Sequence, residues 1–167
     1  GGFGGSNKIS RNTIVNNGGG IFLVTSSNNE LSENVLVGNS RSVLLYGLST
    51  NNRVLDNEIY SPGRGVELND QPFYNVFYNN SIFNPNYGIF LGEKGAYHNY
   101  FYGGKIMNSS KDAIYVSGFN LAGISSNNNT FEKIDILGTN LLYNDINFVS
   151  NEEDFSLPPQ FADLTNY

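Results

Sequence analysis

The chain has no cysteine, one methionine and one histidine among its 167 residues. Thiol chemistry and disulfides are thereby excluded, and a transition-metal cage of the usual nitrogen and sulfur ligands has nothing to be built from. Basic residues are also scarce, with 9 Lys and Arg against 15 Asp and Glu and a formal net charge of −6. That balance argues against a nucleic-acid partner. No apolar run approaches the roughly 20 residues of a helical membrane span, and no signal-peptide pattern is present. The chain opens Gly1-Gly2-Phe3 without an initiator Met, as expected of a processed chain or an excised piece of something longer.

What the sequence does have is a period. Asn7, Ile9, Asn12 and Ile14 are followed by a Gly-rich turn and then by Ile21 and Leu23. The same order returns from Asn29, Asn52, Asn75 and Asn99, after 22, 23, 23 and 24 residues. A degraded sixth copy starts at Asn129, after a Gly/Ser/Asn insertion over 117–128 that lengthens the interval to 30. A fixed period of this size identifies a solenoid. Within each copy the apolar residues alternate in short i, i+2 pairs separated by Asn, Gly or Ser, which marks short strands. The expected fold is an all-β parallel helix of about six coils of 22–24 residues, three short strands to a coil.

Superposing the copies gives four apolar columns. The first is Ile9, Leu31, Val54, Phe77, Phe101, Phe131, and the second is Ile14, Leu36, Ile59, Ile82, Ile106, Ile136. Ile21 and Leu23 begin the third and fourth. Two asparagine columns accompany them. One runs Asn7, Asn29, Asn52, Asn75, Asn99, Asn129; the other, Asn12, Asn34, Asn57, Asn80, is broken by Gly104 and Ile134. Asparagine tolerates left-handed backbone, and amides stacked about 4.8 Å apart hydrogen-bond along the axis, so these columns read as corners.

The repeated Asn-x-Ile-x-x-Asn-x-Ile followed by Gly-Ile-x-Leu, as in Gly88-Ile89-Phe90-Leu91, resembles the right-handed parallel β-helix repeat. Pectin-lyase-like proteins and the NosD-like, periplasmic copper-binding type family share that repeat. The resemblance covers roughly residues 7 to 149. It implies the fold strongly and a function weakly, since such proteins include polysaccharide lyases, epimerases, phage tailspikes and adhesins. The copper role implied by the NosD-like name lacks its soft ligands here. A leucine-rich repeat has a similar period, but its Leu-dominated motif and return segment are not visible.

Three surfaces are candidates for function. Outward positions of the Gly-Ile-x-Leu strand read Phe22, Leu44, Glu67, Phe90, Tyr115, an apolar column expected at an interface or under the C-terminal tail. Tyr78, Tyr100 and Tyr102 lie among Asn and acidic residues, as in a carbohydrate-binding site, where rings pack on sugar C–H groups. They equally serve to pack turns. Asp70 and Glu93 share a repeat offset, which places them one rung apart, flanked by Asn69, Gln71 and Lys94. Two stacked carboxylates share a proton, bind a cation such as calcium, or are relaxed by a nearby Lys. That spacing also falls within the range of a glycosidase pair.

The Arg or Lys base and the Asp-Pro-His-Glu motif that the resemblance would bring to a lyase or an epimerase are missing, which points away from catalysis. His98 precedes a corner Asn and reads as a turn residue. Three sequons, at Asn79, Asn108 and Asn128, are compatible with glycosylation.

Residues 1–6 read as a Gly-rich lead-in or the remnant of a preceding coil, 7–149 as the β-helix, and 150–167 as a cap or linker tail docking through Phe155, Leu157 and Phe161. Ile146 and Phe148 fit a last strand. The expectation is an extracellular or cell-surface module, structural, adhesive or fibre-forming. It would self-associate or engage other surface proteins, without nucleic acid or a membrane span. The alternatives are a carbohydrate-binding segment, as in a tailspike, and a polysaccharide lyase or hydrolase acting near Asp70 and Glu93.

Overall fold

The computed structural model describes residues 5–92, 94–116, 126, 128–138 and 141–145. Ile146, Phe148, the tail from 150 and Glu93 lie outside the described residues. The first two coils contain β1 (Lys8–Ser10), β2 (Thr13–Val15), β3 (Gly19–Val24), β4 (Glu30–Ser32), β5 (Val35–Val37) and β6 (Arg41–Tyr46). The next two contain β7 (Arg53–Leu55), β8 (Glu58–Tyr60), β9 (Arg64–Asn69), β10 (Val76–Tyr78), β11 (Ser81–Phe83) and β12 (Tyr87–Leu91). The last two contain β13 (Tyr100–Tyr102), β14 (Lys105–Met107), β15 (Asp112–Val116), β16 (Thr130–Glu132), β17 (Asp135–Leu137) and β18 (Leu141–Asp145).

Each strand pairs in parallel with its equivalent one coil away, so the eighteen strands form three six-stranded sheets. The first is β1-β4-β7-β10-β13-β16, the second runs from β2 to β17, and the third from β3 to β18. The register is the one read from the repeat. Ile14 pairs with Leu36, Leu36 with Ile59, Ile59 with Ile82, Ile82 with Ile106 and Ile106 with Ile136. The four columns fill the tube as one continuous core. In the first column Phe77, Phe101 and Phe131 stack with centroids 4.4 and 4.7 Å apart.

The glycine of Gly-Ile-x-Leu has a packing role. A Cβ at Gly88 would stand 2.5 Å from the Ala113 carbonyl oxygen and 2.6 Å from Ile106 Cγ2. In the first five coils this position is Gly20, Ser42, Gly65, Gly88 and Ala113, small residues that let the third sheet close on the second column.

The corners differ from the expectation in one respect. The ladder asparagines do not themselves adopt left-handed backbone; the residue before each of them does. Asn28, Asn51, Tyr74 and His98 precede Asn29, Asn52, Asn75 and Asn99 with φ of 58, 54, 54 and 51°. In the second column Arg11, Glu33 and Asp56 do the same. The physical reason is that the ladder amide is held in place by hydrogen bonds from the rung before. Asn52 donates to Asn75 Oδ1 through both its backbone N–H and its amide, at 2.9 and 3.0 Å. With the ladder over-determining the bend, residues as unsuited to φ > 0 as Tyr and Arg are carried into it. Gly104 ends the second ladder, and a Cβ there would run into the backbone of Asn80.

Candidate functional site

Because successive side chains of a strand alternate, the middle residue of each three-residue strand enters the core and its two neighbours face out. Whatever this chain binds, it meets first through those outward columns.

On the first sheet the outward side chains change character along the axis. In the early coils they are charged. Lys8 lies 2.8 Å from one oxygen of Glu30 and Arg53 lies 3.7 Å from the other. In the later coils they are rings. Tyr78 and Tyr102 stack with centroids 5.6 Å apart and planes 3° apart, and Tyr100 lies 5.9 Å from Tyr102. Tyr78 and Tyr100 are exposed and Tyr102 is half-buried. The Tyr100 hydroxyl donates to Glu132 Oε2 at 2.6 Å. That hydrogen bond first, then burial and the carboxylate charge, pushes the Tyr100 phenol up to about 12. Lys133 Nζ donates to the Tyr102 hydroxyl at 3.0 Å. The three tyrosines singled out from the sequence therefore form one surface, with a carboxylate and an ammonium pinning two of their hydroxyls. His98 stacks on Tyr74 at 5.1 Å at its corner, in the turn role expected of it.

The third sheet presents Phe22, Leu44, Glu67, Phe90 and Tyr115 outward in register, as the offsets require. Exposure does not follow. Phe22 is open, but Leu44 and Phe90 are buried and Tyr115 is half-buried. Arg64 supplies part of the cover, its guanidinium 3.8 Å above the Phe90 ring, and Tyr87 meets the same ring edge-on at 5.3 Å. Glu67 is 1% exposed. Its Oε1 accepts from Arg64 Nη1 at 2.6 Å, and Arg41 Nε lies 3.3 Å from Oε2. A carboxylate this buried is costly unless a cation pairs with it, and Arg64 is the close, hydrogen-bonded one. Nothing in the repeat marks Arg41 and Arg64 as its clamp, because they occupy an outward position that other coils fill with Gly19, Tyr87 and Asp112.

Asp70 sits in a left-handed turn with Gln71, φ 66 and 73°. Its Oδ1 lies 3.3 Å from Lys94 Nζ, and this contact raises the Lys94 pKa. Asp70 thus pairs with the neighbouring Lys94; its expected stacking on Glu93 lies outside the described residues. Among the described residues no group of three or more His, Asp or Glu is placed to hold a metal ion.

The sequon asparagines Asn79, Asn108 and Asn128 are exposed, each at a left-handed corner. The Asn79 amide donates to Asp56 Oδ1 at 2.7 Å and the Asn108 amide to Asn84 Oδ1 at 3.2 Å.

Three parallel sheets wound into one solenoid define the class as a parallel β-helix. Residues 2–106 match the family model described as the right handed beta helix region. The match spans more than half of the chain, and the protein belongs to that family. No curated protein and no solved structure matches it significantly.

Proposed function

We propose that this protein is a non-catalytic β-helix module working outside the cell or at its surface, where it adheres through the side walls of the rod. The observation that carries this reading is the tyrosine surface of Tyr78, Tyr100 and Tyr102. Its rings are held by stacking and by Glu132 and Lys133 on a frame whose polar ladders are internally satisfied. Preorganised rings lose little freedom on binding, which favours adhesion through a flat, repetitive contact. An extended glycan is the ligand class we favour, since rings on successive rungs meet sugar C–H faces while Glu132 and Lys133 reach hydroxyls.

The experiment is a glycan array and a panel of insoluble polysaccharides, comparing the native chain with the Tyr78→Ala, Tyr100→Ala, Tyr102→Ala triple variant. Losing three rings together should weaken binding by more than about 1.4 kcal/mol, so the triple variant should bind at least about tenfold more weakly. Equal retention of both proteins would remove the tyrosine surface from the account. No retention by any glycan or polysaccharide would remove the glycan as the ligand class. A lyase or hydrolase centred on Asp70 and Glu93 is the competing reading. It requires turnover of a uronate polymer with calcium, lost in Asp70→Ala.

A further inference from the structure

The second sheet carries an outward column that no coil-by-coil reading of residue identity picks out. Val15, Val37, Tyr60, Phe83, Met107 and Leu137 are consecutive register partners from the first coil to the last. All six are apolar or aromatic although all six face away from the core. Val15 is 46% and Leu137 51% exposed, Tyr60 is exposed, and the other three are half-buried. Tyr60 and Phe83 stack at 4.7 Å. An unbroken apolar stripe along a whole solenoid wall marks a contact surface.

The neighbouring outward column indicates which contact. It reads Thr13, Val35, Glu58, Ser81, Lys105, Asp135 in the same register. Glu58 and Lys105 stand one rung to either side of Ser81. Two copies packed wall to wall with their axes antiparallel, related by a dyad at the Ser81–Phe83 rung, bring each Glu58 opposite the other copy's Lys105. Glu58 and Lys105 thereby form two symmetry-related pairs, and Asp135, exposed near the end of the column, lies opposite Val35. In the apolar column the same operation sets Phe83 on Phe83, Tyr60 on Met107 and Val37 on Leu137, large against slender along the stripe. Packing the rods with parallel axes instead lays the charged column over the apolar one and leaves Glu58 and Lys105 opposite Tyr60 and Met107. Buried unpaired charge disfavours that arrangement.

We infer that the second sheet is a self-association face, on which a second copy of this chain packs antiparallel about the Ser81–Phe83 rung. The five overlapping rungs cover about 20 Å along the axis, and a three-residue strand spans about 10 Å. Flat overlap of that size is only about 200 Å² per copy, small for a specific interface, so the association should be weak and reversible. The inference uses a different wall from the tyrosine surface and stands or falls independently of glycan binding.

The experiment is sedimentation of the full chain over a concentration series, alone and as charge variants. The native chain should show a reversible monomer–dimer equilibrium. Glu58→Lys and Lys105→Glu should each weaken it at least tenfold, because each sets like charges opposite one another. Mixing these two variants should restore association as a heterodimer, since each then offers the charge the other lacks. That rescue also shows that both variants are folded. Phe83→Glu should abolish association in every mixture. A native chain that remains monomeric at the highest concentration reached overturns the proposal. So does a native dimer that both charge variants leave unchanged, which would place another surface, or another segment of the chain, at the interface.

Discussion

Asn75 Oδ1 accepts two hydrogen bonds from Asn52, one from the backbone N–H at 2.9 Å and one from the amide at 3.0 Å. The same pair of bonds joins Asn7 to Asn29, Asn29 to Asn52, Asn75 to Asn99 and Asn99 to Asn129. One side chain thus satisfies a buried turn amide of the coil before it. Asn75→Ala strips two buried donors of Asn52 of their acceptor. At 1–3 kcal/mol for each unsatisfied group, partly relieved by relaxation, the cost should be about 2–4 kcal/mol. Asn7→Ala, at the start of the ladder, removes no acceptor from a described donor and should cost under about 1.5 kcal/mol. Denaturant midpoints of the two variants measure the difference.

Gly88 and Gly18 should respond oppositely to the same substitution. An alanine Cβ at Gly88 meets the Ala113 carbonyl and Ile106 at once, whereas nothing lies within 4 Å of one at Gly18. Overpacking at Gly88 should destabilise by about 1–3 kcal/mol. Gly18→Ala should be neutral or stabilising by up to about 1 kcal/mol, because it restricts the unfolded chain without a clash. Thermal unfolding of both variants checks the sign.

The fold was legible because its signals repeat. Ile14, Leu36, Ile59 and Ile82 are alike in kind and equally spaced, so superposing the copies recovers their column directly. The walls were less legible because outward positions hold no single residue type. Val15, Val37, Tyr60, Phe83, Met107 and Leu137 share apolar character but no residue type, and it is the register that lines them up. The signal was in the sequence, one residue after each member of the second aliphatic column. The burial of Leu44, Glu67 and Phe90 was legible only as one of two expectations for their column, cover by the chain itself, and the covering residues were not legible. At Phe90 and Glu67 it involves Arg64 and Tyr87 folding across the sheet, a matter of side-chain reach and not of period. The tyrosine surface lay between these cases: the offset between Tyr78 and Tyr102 was readable, but the partners Glu132 and Lys133 come from a coil beyond the 117–128 insertion.

Arg64 and Arg41 both pair with Glu67, and they should not be equivalent. Arg64 makes the shorter contact, is the more buried cation and also covers Phe90. Arg64→Ala should cost about 3 kcal/mol, since it leaves a buried carboxylate on one long contact and uncovers an aromatic ring. Arg41→Ala, at a half-exposed side chain, should cost under about 1 kcal/mol. Urea titrations of the two single variants separate them.

Tyr100 should ionise well above the ordinary phenol range. Its phenol is raised to about 12 from the ordinary 10.0, chiefly by the hydrogen bond to Glu132. A raised folded-state value means that the contribution to stability is complete below pH 10 and is lost as pH climbs through 12. The difference in tyrosinate absorbance between the native chain and Tyr100→Phe should show a step near the upper value. In Glu132→Gln that step should move down towards 10.

The central claim, that equivalent residues of successive coils lie directly over one another, is tested most directly by paired cysteines, because the native chain has none. Val76 and Tyr100 are register partners on adjacent rungs of the first sheet, while Arg53 and Tyr100 are two rungs apart. Neighbouring strands are about 4.8 Å apart, within disulfide reach, and twice that distance is beyond it. Mild oxidation of the Val76→Cys, Tyr100→Cys protein should close an intramolecular disulfide, and that of the Arg53→Cys, Tyr100→Cys protein should leave free thiols. Equal oxidation of the two pairs, or closure of the second alone, would contradict the stacked register and every surface described from it.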